Sequence, residues 1–221
     1  MARYFNYFPK TLYSSNNEVS SLDTVTNIIS RFSFERELKE NSSVFYEYDI
    51  KDGDTPEIIA RKFYDNSERH WIVLLFNEII DPQFDWPFDY RTLNDYVDEK
   101  YSSPNYADTA NTSISGLSWA KNINNIHSYY KVITETTRDK ISITKLEVDS
   151  NTANDSVFME TGTNINYNLP GNTNLNITIT KETKSYYDYE LEENEKKRKI
   201  KLLKPEFVSV VEKEFKKVIK G

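Results

Sequence analysis

The residues with types and spacing suited to chemistry are few. The stretch "FDWPFD" sets Asp85 and Asp89 four positions apart around Trp86. A glycosidase needs two carboxylates about 5–9.5 Å apart, in surroundings that split their acidities. With 35 acidic residues in the chain, nothing singles out this pair, so it reads as a turn carrying solvated carboxylates. There are no cysteines and only two histidines, His70 and His127. Disulfides and thiolate zinc sites are excluded, and little remains for an imidazole metal centre or a catalytic triad. Each histidine is read as lying on an ordinary helix or loop surface. No catalytic residue, metal or cofactor is expected, and no enzyme.

The elements around these residues point to contact surfaces instead. The 221 residues are 38% hydrophobic, enough for one sizeable core or a small compact domain with appended elements. Sixteen tyrosines, twelve phenylalanines and three tryptophans give an aromatic share of 14%, a composition suited to interfaces. A net charge of −7 argues against general binding to a phosphate backbone. The N-terminal "MARYFNYFPK" lacks the pattern of a secretory signal, and no window approaches a membrane span, so a cytoplasm-like compartment and no membrane partner are expected.

Four segments follow from the patterning. Residues 1–43 open with Tyr4, Phe5, Tyr7 and Phe8, an aromatic arm that should dock on something. Leu22, Val25, Ile28, Ile29 and Phe32 then recur at helical spacing, which predicts a helix from Ser21. In residues 44–98, Val44, Tyr46, Tyr48 and Ile50 alternate as a strand with one buried face. Asp52-Gly53 marks a turn, Thr55-Pro56 a helix start, and Ile59 and Phe63 the face of that helix. Ser67 reads as a second cap, Trp71, Leu74 and Leu75 as the face of a second helix, and Asn77 as its stop. "DPQFDWPF" reads as a proline-broken aromatic turn. Ile50, Ile59, Phe63, Trp71 and Leu75 form the expected core. Residues 99–185 are rich in Asn, Ser and Thr, with "YYKVITET", "KISITKLEV" and "LNITIT" as strands and "ADTANTSISG" and "NTANDS" as loops.

Residues 186–221 suggest a hairpin followed by an amphipathic helix. A loop at 193–196 sets Glu192 opposite Lys197, Glu190 opposite Lys199 and Asp188 opposite Lys201. Tyr189 then faces Ile200, and Tyr187 faces Leu202, so one face is charged and the other apolar. On that reading "KKRK" is half of a set of ion pairs, not a nucleic-acid patch. After Pro205, the residues Phe207, Val210, Val211, Phe215, Val218 and Ile219 form one helix stripe.

The order of strand, Gly-Asp-Thr turn and two short helices ending in "NEIIDP" resembles a LysM module, a βααβ fold. Tyr48, Ile50, Gly53, Asp54, Thr55, Ile59, Ala60, Trp71, Asn77, Ile79, Asp81 and Pro82 carry the likeness. It implies a groove for N-acetylglucosamine polymers formed by Gly53, Asp54, Thr55, Ile79 and Pro82. The chain departs where LysM modules close with a glycine turn and an apolar strand, since "QFDWPFDYRTLNDYV" stands there.

The arm, "RFSFERELKE" and the terminal "ELEENEKKRKIKLLK" with its helix are together similar to the baseplate wedge protein of contractile-tailed bacteriophages that carries a LysM-like domain. This implies an α+β chain: a LysM-like module with an extended N-terminal arm and helix, a β-rich polar insertion, and a C-terminal hairpin and helix. It implies a structural subunit joining wedge and hub- or tube-proximal proteins, located in the virion tail and in the host cytoplasm during assembly. Residues expected to touch those partners are Tyr4, Phe5, Tyr7 and Phe8 of the arm, Trp86, the hairpin residues Tyr187, Tyr189, Ile200 and Leu202, and the helix residues Phe207 and Phe215. The alternative is a peptidoglycan- or chitin-type glycan-binding LysM protein, serving cell-wall attachment or as a lysin accessory.

Overall fold

Residues 4–14, 22–28, 32–102, 114–137, 140–160, 164–169 and 173–220 are described in a computed structural model. The chain divides into two units: residues 1–89 with 194–221, and residues 90–193, inserted between them in sequence.

The first unit begins with a 3-10 turn, Tyr4–Tyr7, and a ribbon of β1 (Lys10–Tyr13) and β2 (Asp23–Thr26) with Leu12 opposite Thr24. The helix expected from Ser21 is therefore a strand where it is described. Thr24, Val25 and Thr26 are three β-branched residues in a row, which favour extended backbone over a helical turn; Ile29 lies outside the described residues. A short α1 (Arg36–Glu40) leads to β3 (Phe45–Asp49). Helix α2 (Pro56–Tyr64) starts as its sequence predicts, with Pro56 in the first turn and Thr55 Oγ1 accepting from the Ile58 N–H at 3.3 Å. The next cap is Asn66, not Ser67: its side chain accepts from Glu68 N–H at 3.0 Å before a 3-10 turn, Ser67–Arg69. Then come α3 (His70–Phe76), ended by Asn77, and the single turn α4 (Pro82–Asp85), capped by Asp81.

The second unit runs through α5 (Tyr90–Tyr101), α6 (Gly116–Lys121), β4 (Ile126–Thr136), β5 (Ile141–Val148), α7 (Ser150–Asn154), α8 (Ser156–Met159), β6 (Asn164–Leu169) and β7 (Thr173–Ser185). Its antiparallel sheet has the order β5-β4-β7-β6, so the three expected strands are present. "NTANDS" is not a loop. Asp149 and Asp155 accept from the first N–H groups of α7 and α8, the capping role that keeps Asp out of helix interiors. The described end of "ADTANTSISG" likewise caps a helix, with Ser115 accepting from Ser118 N–H at 3.2 Å.

From α9 (Tyr186–Lys196) the chain returns to the first unit as β8 (Lys199–Leu203) and α10 (Pro205–Lys220). The expected hairpin does not form, because residues 186–196 are helical and β8 pairs antiparallel with β3. Lys201 stands opposite Glu47 and Lys199 opposite Asp49, while Ile200 faces Tyr48 and Leu202 faces Tyr46. Glu190 and Glu192 instead meet Lys100, at 2.7 Å, and Lys184. Glu190 and Asn194, one turn apart on this helix, are both buried.

The core of the first unit collects Ile50, Ile59, Ile72, Val73 and Phe76 from the first pass with Leu202, Leu203, Val208 and Phe215 from the second. Trp71 is buried as expected, while Phe63 and Leu75 pack at the margin.

Candidate functional site

Gly53 takes φ +82 in the turn after β3, a conformation that favours glycine. This turn presents Asp54 inward. The buried Asp54 carboxylate accepts from the Tyr48 hydroxyl at 2.6 Å, from Lys62 Nζ at 2.5 Å and from Lys51 N–H at 3.4 Å. Burial pushes its acidity constant up, but the bonds from Lys62, Tyr48 and Lys51 outweigh that and hold it below the usual value. Burial, then the bond to Asp54 and its charge, pushes the Tyr48 phenol up to about 12.

Thr55 is exposed and occupied as the α2 cap. On the other side Ile79 is half-buried, its N–H bonded to Leu74 O at 2.9 Å, and Pro82 is exposed at the start of α4. Between the two loops stands Trp86, buried, with its indole N–H donating to the Asp54 carbonyl at 2.9 Å. The segment after α3 is thereby tied to the turn after β3. The Asp85 carboxylate is engaged locally, accepting from Ile80 and Asp81 N–H groups at 3.3 and 3.0 Å.

A second cluster joins both ends of the chain. Phe215 of α10 stacks on Tyr4 with centroids 5.2 Å apart and meets Trp71 at 4.6 Å, Phe32 at 5.4 Å and Phe8 at 6.0 Å. Beside it Arg69 binds Glu212 at 2.7 Å and the Tyr64 carbonyl at 2.8 Å. A cleft of about 170 Å³, bounded by Tyr4, Tyr7, Arg69, Trp71 and Glu212, opens on this cluster.

The model of the family described as Base plate wedge protein 53 matches residues 3–218. The chain belongs to that family. No curated protein matches it. The family supports a structural role in a phage baseplate, contact with other baseplate proteins and a place in the virion tail.

In this base plate wedge family chain, most of the sequence-selected contact residues are engaged internally. Phe8, Trp86, Ile200, Leu202 and Phe215 are buried, and Tyr4, Tyr7 and Phe207 pack against the core. In the second unit Tyr187 carries Lys121 Nζ 4.4 Å over its ring, and Tyr189 stacks on His127 at 3.8 Å. His127 is thus a half-buried strand residue and not a surface one, and His70 is half-buried at the start of α3. Phe5 is the outward-facing member of the set, 56% exposed. Two exposed apolar surfaces leave no clear mark in the sequence. One is the ribbon, where Leu12 and Tyr13 are 65% and 61% exposed and Leu22, Val25 and Ile28 are exposed with them. The other is β5, with Ile141 and Ile143. The first was concealed by a helical spacing, and the second by an alternation that predicts one buried face. Among the described residues there is no group of three or more acids, histidines or cysteines that could hold a metal, and no helix is long and apolar enough to cross a membrane.

Proposed function

We propose that this chain is a non-enzymatic joint of the baseplate wedge, linking neighbouring wedge proteins to hub- and tube-proximal subunits as the virion assembles in the host cytoplasm. The observation that carries this reading is the β1–β2 ribbon. Two strands alone are marginal in water, and this pair exposes apolar side chains on both faces, Leu12 on one and Tyr13 with Val25 on the other. Such an element gains stability by burial against a neighbour.

The β3–α2–α3 segment, closed by the remote β8, is on this reading a LysM-like βααβ module given over to protein contacts. Trp86 supports that assignment, since its bond to the Asp54 carbonyl ties together the two loops that would flank a sugar groove. Leu12→Ser/Tyr13→Ser protein tests the joint. It should melt with the wild type but fail to restore complete baseplates in a phage lacking its own copy. Normal baseplates with the double variant would overturn the proposal. Retention on insoluble peptidoglycan that soluble chitooligosaccharide competes away would establish the glycan-binding alternative instead.

A further inference from the structure

Apart from the ribbon, we propose that β3 is a second interface, whose outer edge takes an extended segment of a different protein with lysine or arginine at alternate positions. Ile50 N–H bonds the Arg198 carbonyl and Lys204 N–H the Val44 carbonyl, each at 2.9 Å. In an antiparallel pair this gives the main-chain groups of Val44, Tyr46, Tyr48 and Ile50 to β8 and turns those of Phe45, Glu47 and Asp49 outward. Among the described residues no strand pairs with that outer edge. The other edge of the sheet is occupied at its centre, where Asn77 takes both main-chain groups of Lys201. Along β3, Tyr46, Glu47 and Asp49 are exposed. Added strands gain affinity from main-chain bonds of this kind and specificity from alternate side chains.

Charge selects the occupant. Among the described residues neither Glu47 nor Asp49 forms an ion pair, although Lys201 and Lys199 stand opposite them. Lys201 is drawn away: its Nζ bonds the Lys39 carbonyl at 2.9 Å and lies 4.5 Å from the Phe45 ring centre. A basin of about 570 Å³ over Glu47, Asp49, Lys199 and Lys201 leaves room for a neighbour's side chains. Acids on an open edge turn away acidic strands and accept basic ones, so they act as a filter. A second copy of β3, paired antiparallel across a two-fold axis, does not pass it. An axis at Glu47, Tyr48 or Asp49 sets carboxylate against carboxylate, and one at Phe45 or Tyr46 sets Glu47 against Ser43 or Phe45. Elsewhere in the chain, basic residues stand two apart only at Arg138 and Lys140, which connect β4 to β5, and within 196–201, which end α9 and form β8. The ribbon's β1 offers a single lysine, Lys10, and its Nζ bonds Thr26 Oγ1 at 2.7 Å. The matching strand therefore belongs to a different protein.

The probe is a short capped peptide alternating lysine and valine, with a glutamate–valine peptide as its control. Added to the full chain at low salt, the lysine peptide should slow amide exchange at Phe45, Glu47 and Asp49 and bind about tenfold tighter than the control. Salt should weaken it. Glu47→Lys/Asp49→Lys protein, with an unchanged circular dichroism melt, should reverse the preference and take the glutamate peptide. The proposal is overturned if neither peptide protects these amides at millimolar concentration, or if both protect them equally. It is also overturned if the free protein forms a dimer that the double variant abolishes, which makes the occupant a second copy.

Discussion

The side-chain amide of Asn194 bonds both main-chain groups of Phe88: Oδ1 accepts from the Phe88 N–H at 2.7 Å, and Nδ2 donates to its carbonyl at 3.0 Å. An amide used in this way mimics one rung of a β-ladder. Within the first unit it ties together the two stretches of chain that residues 90–193 separate in sequence. Asn77 does the same for β8, accepting from Lys201 N–H and donating to Lys201 O, each at 2.8 Å.

Replacing Asn194 by Leu should therefore destabilise the first unit by more than lost volume would. Asn194 is buried, so the substitution removes the hydrogen bonds it makes to the Phe88 N–H and carbonyl, at about 1–3 kcal/mol each. Asn194→Asp keeps the acceptor but sets a buried carboxylate oxygen against the Phe88 carbonyl, and at neutral pH should destabilise at least as much as Leu. Urea unfolding of the three proteins measures the order.

Phe215 is fully buried and meets Tyr4, Phe8, Phe32 and Trp71. Phe215→Ala should cost about 3–5 kcal/mol, as truncation of a large core ring does. The loss should also release the arm, so amide exchange at Tyr4 to Phe8 should rise with it. Unchanged protection there would show that the arm is held by other contacts.

How far the sequence reveals this fold is seen best in β8. Its alternation of Lys199, Ile200, Lys201 and Leu202 predicts a partner strand of acids and tyrosines, and such a strand pairs with it. The partner is Tyr46-Glu47-Tyr48-Asp49 and not Tyr187-Asp188-Tyr189-Glu190. The two segments present the same chemistry at the same period, and only long-range packing chooses between them. Caps and turns set by neighbouring residues, as at Thr55, Gly53 and Asn77, are legible because their causes are local. The bonds of Trp86 to Asp54 and of Asn194 to Phe88 cross 32 and 106 positions and leave no periodic trace. The turn at Gly53 and the cap at Thr55 are legible in the sequence, but their tie to Trp86 is not.

Acid should weaken the first unit through Asp54. Its folded acidity constant lies below the ordinary 3.8, so its contribution is complete above that value and is lost as pH falls through the folded one. Asp54→Asn protein should lack this part of the acid transition. Tyr48 acts at the other end. Its phenol is raised from 10.0 to about 12, so stability present below pH 10.0 declines as pH rises toward 12, and Tyr48→Phe should remove that decline. Denaturation midpoints measured across both ranges separate the two groups.

Gly53 and Gly116 should respond differently to alanine, for different reasons. Gly53 has φ +82 and open space around the missing Cβ, so Gly53→Ala meets only backbone strain of about 1–2 kcal/mol. Gly116, buried at the start of α6, has no such room. A Cβ there would stand 2.2 Å from Asp98 O, 2.6 Å from Ser102 N and 2.7 Å from Tyr101 C, all main-chain atoms of α5 and the residue after it. Neither helix can yield by a rotamer change, and the Leu117 N–H bond to the Asp98 carboxylate, 2.8 Å, would be strained with them. Gly116→Ala should therefore exceed the roughly 1–3 kcal/mol of ordinary overpacking. Trp119, stacked on Tyr101 at 5.7 Å, reports the separation of α5 and α6 by its fluorescence. A melt and an emission spectrum indistinguishable from wild type would show that the two helices can part without loss.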